Sequence, residues 1–175
     1  WREQFDDIGT HFVVPSLVRY RGVAPSDCGM MRSGNAGYCV RDNTVYYDEV
    51  FVAAQAKRAA SEIGTDGDMA AVGIIAHEVG HHVQKLLGTF QKLESAQGRA
   101  SKEQFNANSV RMELQADCYA GVWGFHAGKK NQLSAGDIEE ALNAATAIGD
   151  DRLQKQAQGY VVPESFTHGS SAQRV

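Results

Sequence analysis

Proline is scarce in this 175-residue chain, and its three copies, Pro15, Pro25 and Pro163, lie outside the middle of the sequence. Long helices can therefore run there without a proline break. Long apolar runs are missing as well. The longest, Ala70 to Ala76, stops at His77, far short of the roughly 20 residues a membrane-crossing helix needs. Basic residues are not in excess: 17 Lys and Arg against 21 Asp and Glu give a net charge of −4, with no run suited to neutralising a phosphate backbone. That argues against a nucleic-acid partner. The chain opens on Trp1 with no basic and then apolar leader, so an upstream segment is expected to have been removed. With 43% hydrophobic and 22% charged residues, the composition is that of an ordinary globular domain, not of a disordered, collagen-like or coiled-coil chain. One domain over residues 1–175, burying roughly 70% of its unfolded surface, is the expectation.

Cysteine is also rare, at three residues. Cys28 and Cys39 bracket a Gly- and Ser-rich stretch without the C-x-x-C spacing of a zinc ribbon. Two readings remain, unpaired thiols or a disulfide, and the disulfide is preferred. It would stabilise the fold by about 3 kcal/mol in the chain-entropy treatment and would imply an oxidising, extracytoplasmic compartment. Cys118, inside a helical pattern, is expected to be a small buried core residue.

No repeat or low-complexity tract divides the chain. Residues 12 to 50 carry the β signal, in Leu17-Val18-Arg19-Tyr20 and Thr44-Val45-Tyr46-Tyr47, between turn-forming residues. The pattern then turns helical. A first helix is predicted over about 49 to 62, ending before Gly64, and a second from an N-cap near Asp68 to a stop at Gly88. Val72, Ile75, Val79, Val83 and Leu86 give this second helix one apolar stripe. Further helices are predicted over about 104 to 126 and 135 to 157, the last starting near Ser134 or Asp137, and the final eighteen residues read as loop.

His77-Glu78-Val79-Gly80-His81 is an H-E-x-x-H motif inside the second helix. Residues four apart on a helix differ by about 40° in direction and about 6 Å in height, so both imidazoles can aim at one Zn²⁺. Glu78 falls beside that point, where its carboxylate can accept a proton from water as a general base. The competing reading is a solvated His/Glu cluster on an amphipathic helix. The apolar half-helix before the motif favours the site, as do Gly73 and Gly80, whose missing side chains let another element approach. A zinc hydrolase also needs a third protein ligand and one open position. Glu113 and Asp117 in the third helix share a face by the same spacing. Glu113 can coordinate the metal, and Asp117 can accept the second ring N–H of a ligand histidine. An acidic edge in water is the alternative for that pair alone. Ala116, Ala120, Gly121 and Gly124 keep the neighbouring positions small, so the two helices can pack closely.

His77-Glu78-Val79-Gly80-His81-His82-Val83-Gln84 and Glu113-Leu114-Gln115-Ala116-Asp117-Cys118-Tyr119-Ala120-Gly121 resemble the neutral zinc metallopeptidase family of bacteria, a gluzincin-type group. Cys28-Gly29, Tyr38-Cys39, Val45-Tyr46, 148–154 and 165–169 resemble further family segments in the same order. The resemblance implies His77, His81 and Glu113 as zinc ligands, Glu78 as catalytic acid and base, and Asp117 as the acid behind a ligand. It also implies a membrane anchor or signal ahead of the domain. The chain departs from the family at Gly37-Tyr38, where an aromatic pair is common, and at Gly73, where a bulkier residue is common. In gluzincins a later histidine, steadied by an aspartate, donates a hydrogen bond to the oxyanion; the resemblance implies His168 for this, with Asp150 or Asp151 orienting it. A surface loop histidine is the alternative. His82 points away from His81 and reads as structural; His11, His126 and Tyr160 carry no signal.

The expectation is an α+β, zincin-like domain, with a small N-terminal sheet packed on the H-E-x-x-H helix and further helices following. Thr44 to Asp48 is the strand expected to pair with extended peptide at a sheet edge. The expected activity is peptide-bond hydrolysis of a peptide or protein substrate with Zn²⁺ as cofactor. The alternatives are a zinc-stabilised binding or regulatory domain with idle machinery, and a zinc amidase acting on a non-peptide amide.

Overall fold

The computed structural model describes residues 1–64, 66–98 and 100–175, the side chains of 62, 63, 96 and 97 set aside. The fold is α+β. A short helix α1 (Arg2–Asp7) precedes strands β1 (Ser16–Tyr20), β2 (Ala24–Ser26), β3 (Gly29–Met31), β4 (Ala36–Cys39) and β5 (Thr44–Asp48). Helices α2 (Glu49–Ile63), α3 (Asp68–Leu86), α4 (Thr89–Gln97), α5 (Lys102–Lys129), α6 (Asp137–Ala147) and α7 (Asp150–Gln158) follow, and a 3₁₀ turn (Pro163–Ser165) lies in the C-terminal segment. Among the described residues no helix is long and apolar enough to cross a membrane.

The three-stranded sheet has the order β1-β5-β4, with β5 parallel to β1 and antiparallel to β4. β5 is therefore the central strand, with Val45 fully buried, and the expectation that Thr44–Asp48 forms an open edge is wrong. The reason is visible in its composition. Val45-Tyr46 offers no polar face for water, as suits a strand covered on both sides. The edge next to the helices is β4. The β2–β3 ribbon is a separate sheet, tied to β4 by a Cys28–Cys39 disulfide, and Tyr20, Ala24, Cys39 and Tyr46 form its shared core.

Asp48 ends β5 and caps α2 by accepting from the Val50 N–H. α3 starts differently from the expectation. Gly67, not Asp68, is its N-cap, and the missing side-chain acceptor comes from α6, whose buried Glu140 accepts the Ala70 N–H at 2.7 Å. A carboxylate there also faces the positive end of the helix dipole. Behind α3, Val79, Val83 and Leu86 pack on Phe5 and Phe12 from the N-terminal segment. Its other face meets α5. A Cβ added at Gly80 would lie 2.6 Å from the Ala116 carbonyl oxygen, so glycine is what allows the two backbones to touch.

α5 begins in a full capping box, with Ser101 accepting from the Gln104 N–H and Gln104 accepting from the Ser101 N–H. Three further expectations need correction. Cys118 is exposed, because it sits one residue round the helix from Asp117 and faces away from α3. The single helix predicted over 135 to 157 is two, α6 and α7, separated at Ile148-Gly149. The C-terminal segment crosses at that break: a Cβ on Gly149 would lie 2.3 Å from the Ser171 nitrogen, and the Asp150 N–H bonds the Gly169 carbonyl. Gly88 does end α3, but the chain restarts at once as α4, which is not among the expected helices although Phe90 and Leu93 stand at helical spacing.

Candidate metal centre

α3 and α5 run antiparallel, with Gln84 beside Met112, Gly80 beside Ala116 and His77 beside Asp117. This packing carries Glu113 to the two histidines. His77 Nε2 lies 3.1 Å from one Glu113 oxygen, His81 Nε2 lies 3.4 Å from the other, and one donor atom from each residue falls within a 4.8 Å cluster. The two rings stand edge to face, 4.8 Å between centroids. A tetrahedral zinc centre with bonds of about 2.0–2.1 Å has donor–donor edges of about 3.3–3.4 Å, so this two-nitrogen, one-carboxylate set fits Zn²⁺ in spacing and in ligand chemistry.

The far ring nitrogens are held too. His77 Nδ1–H donates to Asp117 Oδ1 at 2.7 Å. His81 Nδ1–H donates to Gln84 Oε1 at 2.8 Å, and the fully buried Gln84 amide donates in turn to the Met112 carbonyl of α5 at 2.7 Å. Each ring thus turns its Nε2 to the cluster. Arg174, its side chain 5% exposed, clamps Asp117 with Nε to Oδ2 and Nη2 to Oδ1, both at 2.9 Å. Sequence reasoning gave no role to Gln84 or Arg174. The only signal for Gln84 was its place three residues after His81, on the same helix face; Arg174 had none.

The electrostatics follow from this packing. Burial alone would lower the His77 pKa, but hydrogen bonds to Asp117 and Glu113 outweigh it and lift the ring to about 10. His81 is raised in the same way, burial being overcome by the bond to Glu113. Burial opposes ionisation of Glu113 and Asp117, yet the imidazoles, with Arg174 in the case of Asp117, hold both below the usual carboxylate range. Glu78 is different: burial pushes its carboxyl up, against the pull of His77 and His81.

A cavity of about 660 Å³ opens over the cluster, bounded by β4, α2, α3, α5 and α6. Glu78 lines it, as do Tyr38 and His168. His168 enters on the C-terminal segment, which Asp150 secures by accepting the N–H groups of Thr167, His168 and Gly169 at 2.7–3.0 Å. The His168 ring also bonds the other Asp150 oxygen through Nδ1 at 3.2 Å. Asp151 instead binds Ser171 and does not reach the histidine. His82 is fully buried, giving Nε2–H to the Val13 carbonyl and accepting from the Tyr38 hydroxyl at Nδ1, a structural role. Burial and the nearby Asp42 push Tyr38 up to about 12, which keeps it a neutral donor. Tyr160 is 62% exposed and outside the cavity.

The family description "Putative neutral zinc metallopeptidase" matches residues 1–175. The chain is 52% identical over 175 residues to a protein of Escherichia coli K12 named Uncharacterized protein YpfJ, covering 99% of this chain and 60% of that one. It is 41% identical over 173 residues to Uncharacterized protein Mb2605 of Mycobacterium bovis and to Uncharacterized protein Rv2575 of Mycobacterium tuberculosis, covering 91% of this chain and 56% of each. The chain thus spans under two thirds of the length of these relatives. No solved structure gives a significant match.

Proposed function

The chain belongs to the putative neutral zinc metallopeptidase family, and from that premise we propose that it is a zinc-dependent peptidase of zincin-like fold, working in an oxidising, extracytoplasmic compartment. The observation that carries the reading is the convergence of His77, His81 and Glu113 on one point, each histidine oriented from behind by its own partner. His77, His81 and Glu113 would hold the metal, and Asp117 and Gln84 fix the ring tautomers that make this ligation effective. Zn²⁺ bound there would supply a Lewis acid that polarises the scissile carbonyl and acidifies water.

The remaining chemistry belongs to the chain. Glu78, buried and raised, takes the proton of the attacking water and returns it to the leaving amine. His168, steadied by Asp150, donates to the oxyanion as charge builds on the carbonyl oxygen. β4, with one side unpaired among the described residues, takes the place first expected of β5 as the edge along which extended peptide lies.

The test combines metal analysis with hydrolysis of unfolded proteins and peptide libraries. Glu78→Gln should keep stoichiometric zinc and lose hydrolysis by about 10²-fold or more. Glu113→Ala should lose the metal itself. Full activity in Glu78→Gln would assign the base elsewhere, and unchanged zinc occupancy in Glu113→Ala would remove that residue from the ligand set. Stoichiometric zinc with no hydrolysis of any peptide by the wild type would instead favour the binding-domain or amidase alternatives.

A further inference from the structure

The cavity does not end at the metal cluster. Because α3 and α5 are antiparallel, the half of α3 before His77 faces the half of α5 beyond Asp117, and α6 closes the gap between them. On α3 and α5 the lining mixes small and large apolar residues: Gly73 lies one turn before His77, Ala120, Gly121 and Gly124 continue the Glu113–Asp117 face, and Met69, Ile74 and Trp123 are the bulky members. The α6 wall is apolar throughout, through Ile138, Ala141, Leu142, Ala144, Ala145 and Ile148. Every carboxylate, imidazole and guanidinium lining the cavity sits at the other end, in 77–81, in Glu113 and Asp117, or on the C-terminal segment. Ile138 and Leu142 remain 44% exposed, so this apolar arm is open to solvent.

We propose that this arm is a specificity pocket for one bulky apolar side chain, aromatic or long aliphatic, of a peptide substrate, next to the scissile bond. The inference rests on the peptidase reading above and adds what that reading leaves open, the residue class selected. Its place follows from helix geometry: one turn is about 5.4 Å, so Gly73 lies within a residue's reach of the reacting carbonyl. Its chemistry follows from the lining. A Lys, Arg, Asp or Glu side chain entering the arm would find no ionic partner along its lining, whereas a Phe or Leu side chain would exchange water for apolar contact.

The depth of the pocket is set by glycine. A Cβ on Gly73 would meet only the Ala141 methyl group at 3.7 Å, and one on Gly121 would meet nothing within 4 Å. Both positions are helical with negative φ, so larger residues fit the backbone and project into the arm. Gly73→Leu and Gly121→Leu therefore fill the pocket from two independent helices.

The test measures binding separately from catalysis. Capped tripeptides acetyl-Ala-X-Ala-amide, with X as Phe, Leu, Ala or Lys, are titrated into metal-free protein and followed by amide chemical shifts. Phe and Leu peptides are expected to bind at least tenfold more tightly than Ala and Lys peptides. Gly73→Leu and Gly121→Leu should each remove that preference and leave the Ala peptide unchanged, with circular dichroism reporting the fold. Equal binding of all four peptides, tightest binding of the Lys peptide, no binding of any, or a preference that survives in both folded variants would overturn the pocket. The peptidase reading fails by a different result: zinc-loaded wild type that leaves the same peptides intact while the Phe preference persists.

Discussion

In the metal-free protein the bonds from the His77 ring to Asp117 and Glu113 favour its protonated form. His77 at about 10 is doubly protonated at neutral pH, bridging Asp117 and Glu113. Its pKa is raised above the ordinary 6.5, so its contribution to folding is complete below pH 6.5 and disappears as pH climbs through about 10. Glu113 and Asp117 are depressed, so theirs is present above the ordinary values of 4.5 and 3.8 and fades on acidification. The metal-free protein should accordingly melt highest between about pH 4.5 and 6.5, as far as these groups decide it, and lose stability toward pH 10. Zinc must displace the His77 proton, so its affinity should rise over the window in which metal-free stability falls. Calorimetry in buffers of different ionisation enthalpy checks this: at pH 7 zinc uptake should release at least one proton, and none would remove the bridge. Arg174 acts through the same carboxylate. Arg174→Gln and Asp117→Asn should each weaken zinc about 10–100-fold, the double variant no further than Asp117→Asn alone, with partial recovery in Arg174→Lys. Additive losses would mean that Arg174 does not act through Asp117.

Between elements, the site depends on how closely α3 approaches α5. Gly80→Ala gains about 1 kcal/mol of helix propensity, but its Cβ would meet the Ala116 backbone at 2.6–3.2 Å, and overpacking typically costs about 1–3 kcal/mol. We expect a net loss of stability, a Tm lower by a few degrees, and weaker zinc binding because Glu113 is pushed off the histidines. Gly73→Ala is the control, its Cβ in ordinary contact at 3.7 Å, and should be neutral or stabilising. The same distinction between local and distant contacts explains what the sequence made legible. H-E-x-x-H and Glu113-x-x-x-Asp117 could be read because helical spacing alone puts each pair on one face. The helices α2, α3 and α5 could be read from periodicity, and the ends of α2 and α3 from the glycines that follow them, Gly64 and Gly88. Strand order could not, since β5 is central only through partners 28 residues earlier in β1 and a few residues away in β4. Glu140 caps α3 from 70 residues away and Arg174 clamps Asp117 from 57, and neither distance leaves a local pattern. The α6–α7 break likewise answers to Ser171, not to its own helix.

At the scale of the whole molecule, two staples sit on either side of β4. The Cys28–Cys39 disulfide fastens the β2–β3 ribbon to one end of that strand, while the proposed zinc ligands His77, His81 and Glu113 join α3 to α5 beyond it. The groups that orient the cluster, Asp117, Gln84 and Arg174, all lie on α3, α5 or the C-terminal segment and none on β4. Reduction should therefore remove about 3 kcal/mol of stability by the chain-entropy treatment and leave zinc affinity unchanged. Zinc at about a thousandfold above its Kd adds about 4 kcal/mol by mass action, which chelation removes. For a chain of this size each kcal/mol moves Tm by about 2–4 °C, so reduction should lower it by about 6–12 °C and chelation by about 8–16 °C. Because the two staples share no residue, the free-energy losses should add to within about 0.5 kcal/mol when both treatments are applied. Denaturant melts of the four states, oxidised or reduced and loaded or chelated, measure this directly. A combined loss more than about 1 kcal/mol from the sum would show that β4 transmits strain from the ribbon to the cluster, through Tyr38 and its bond to the buried His82 beside His81.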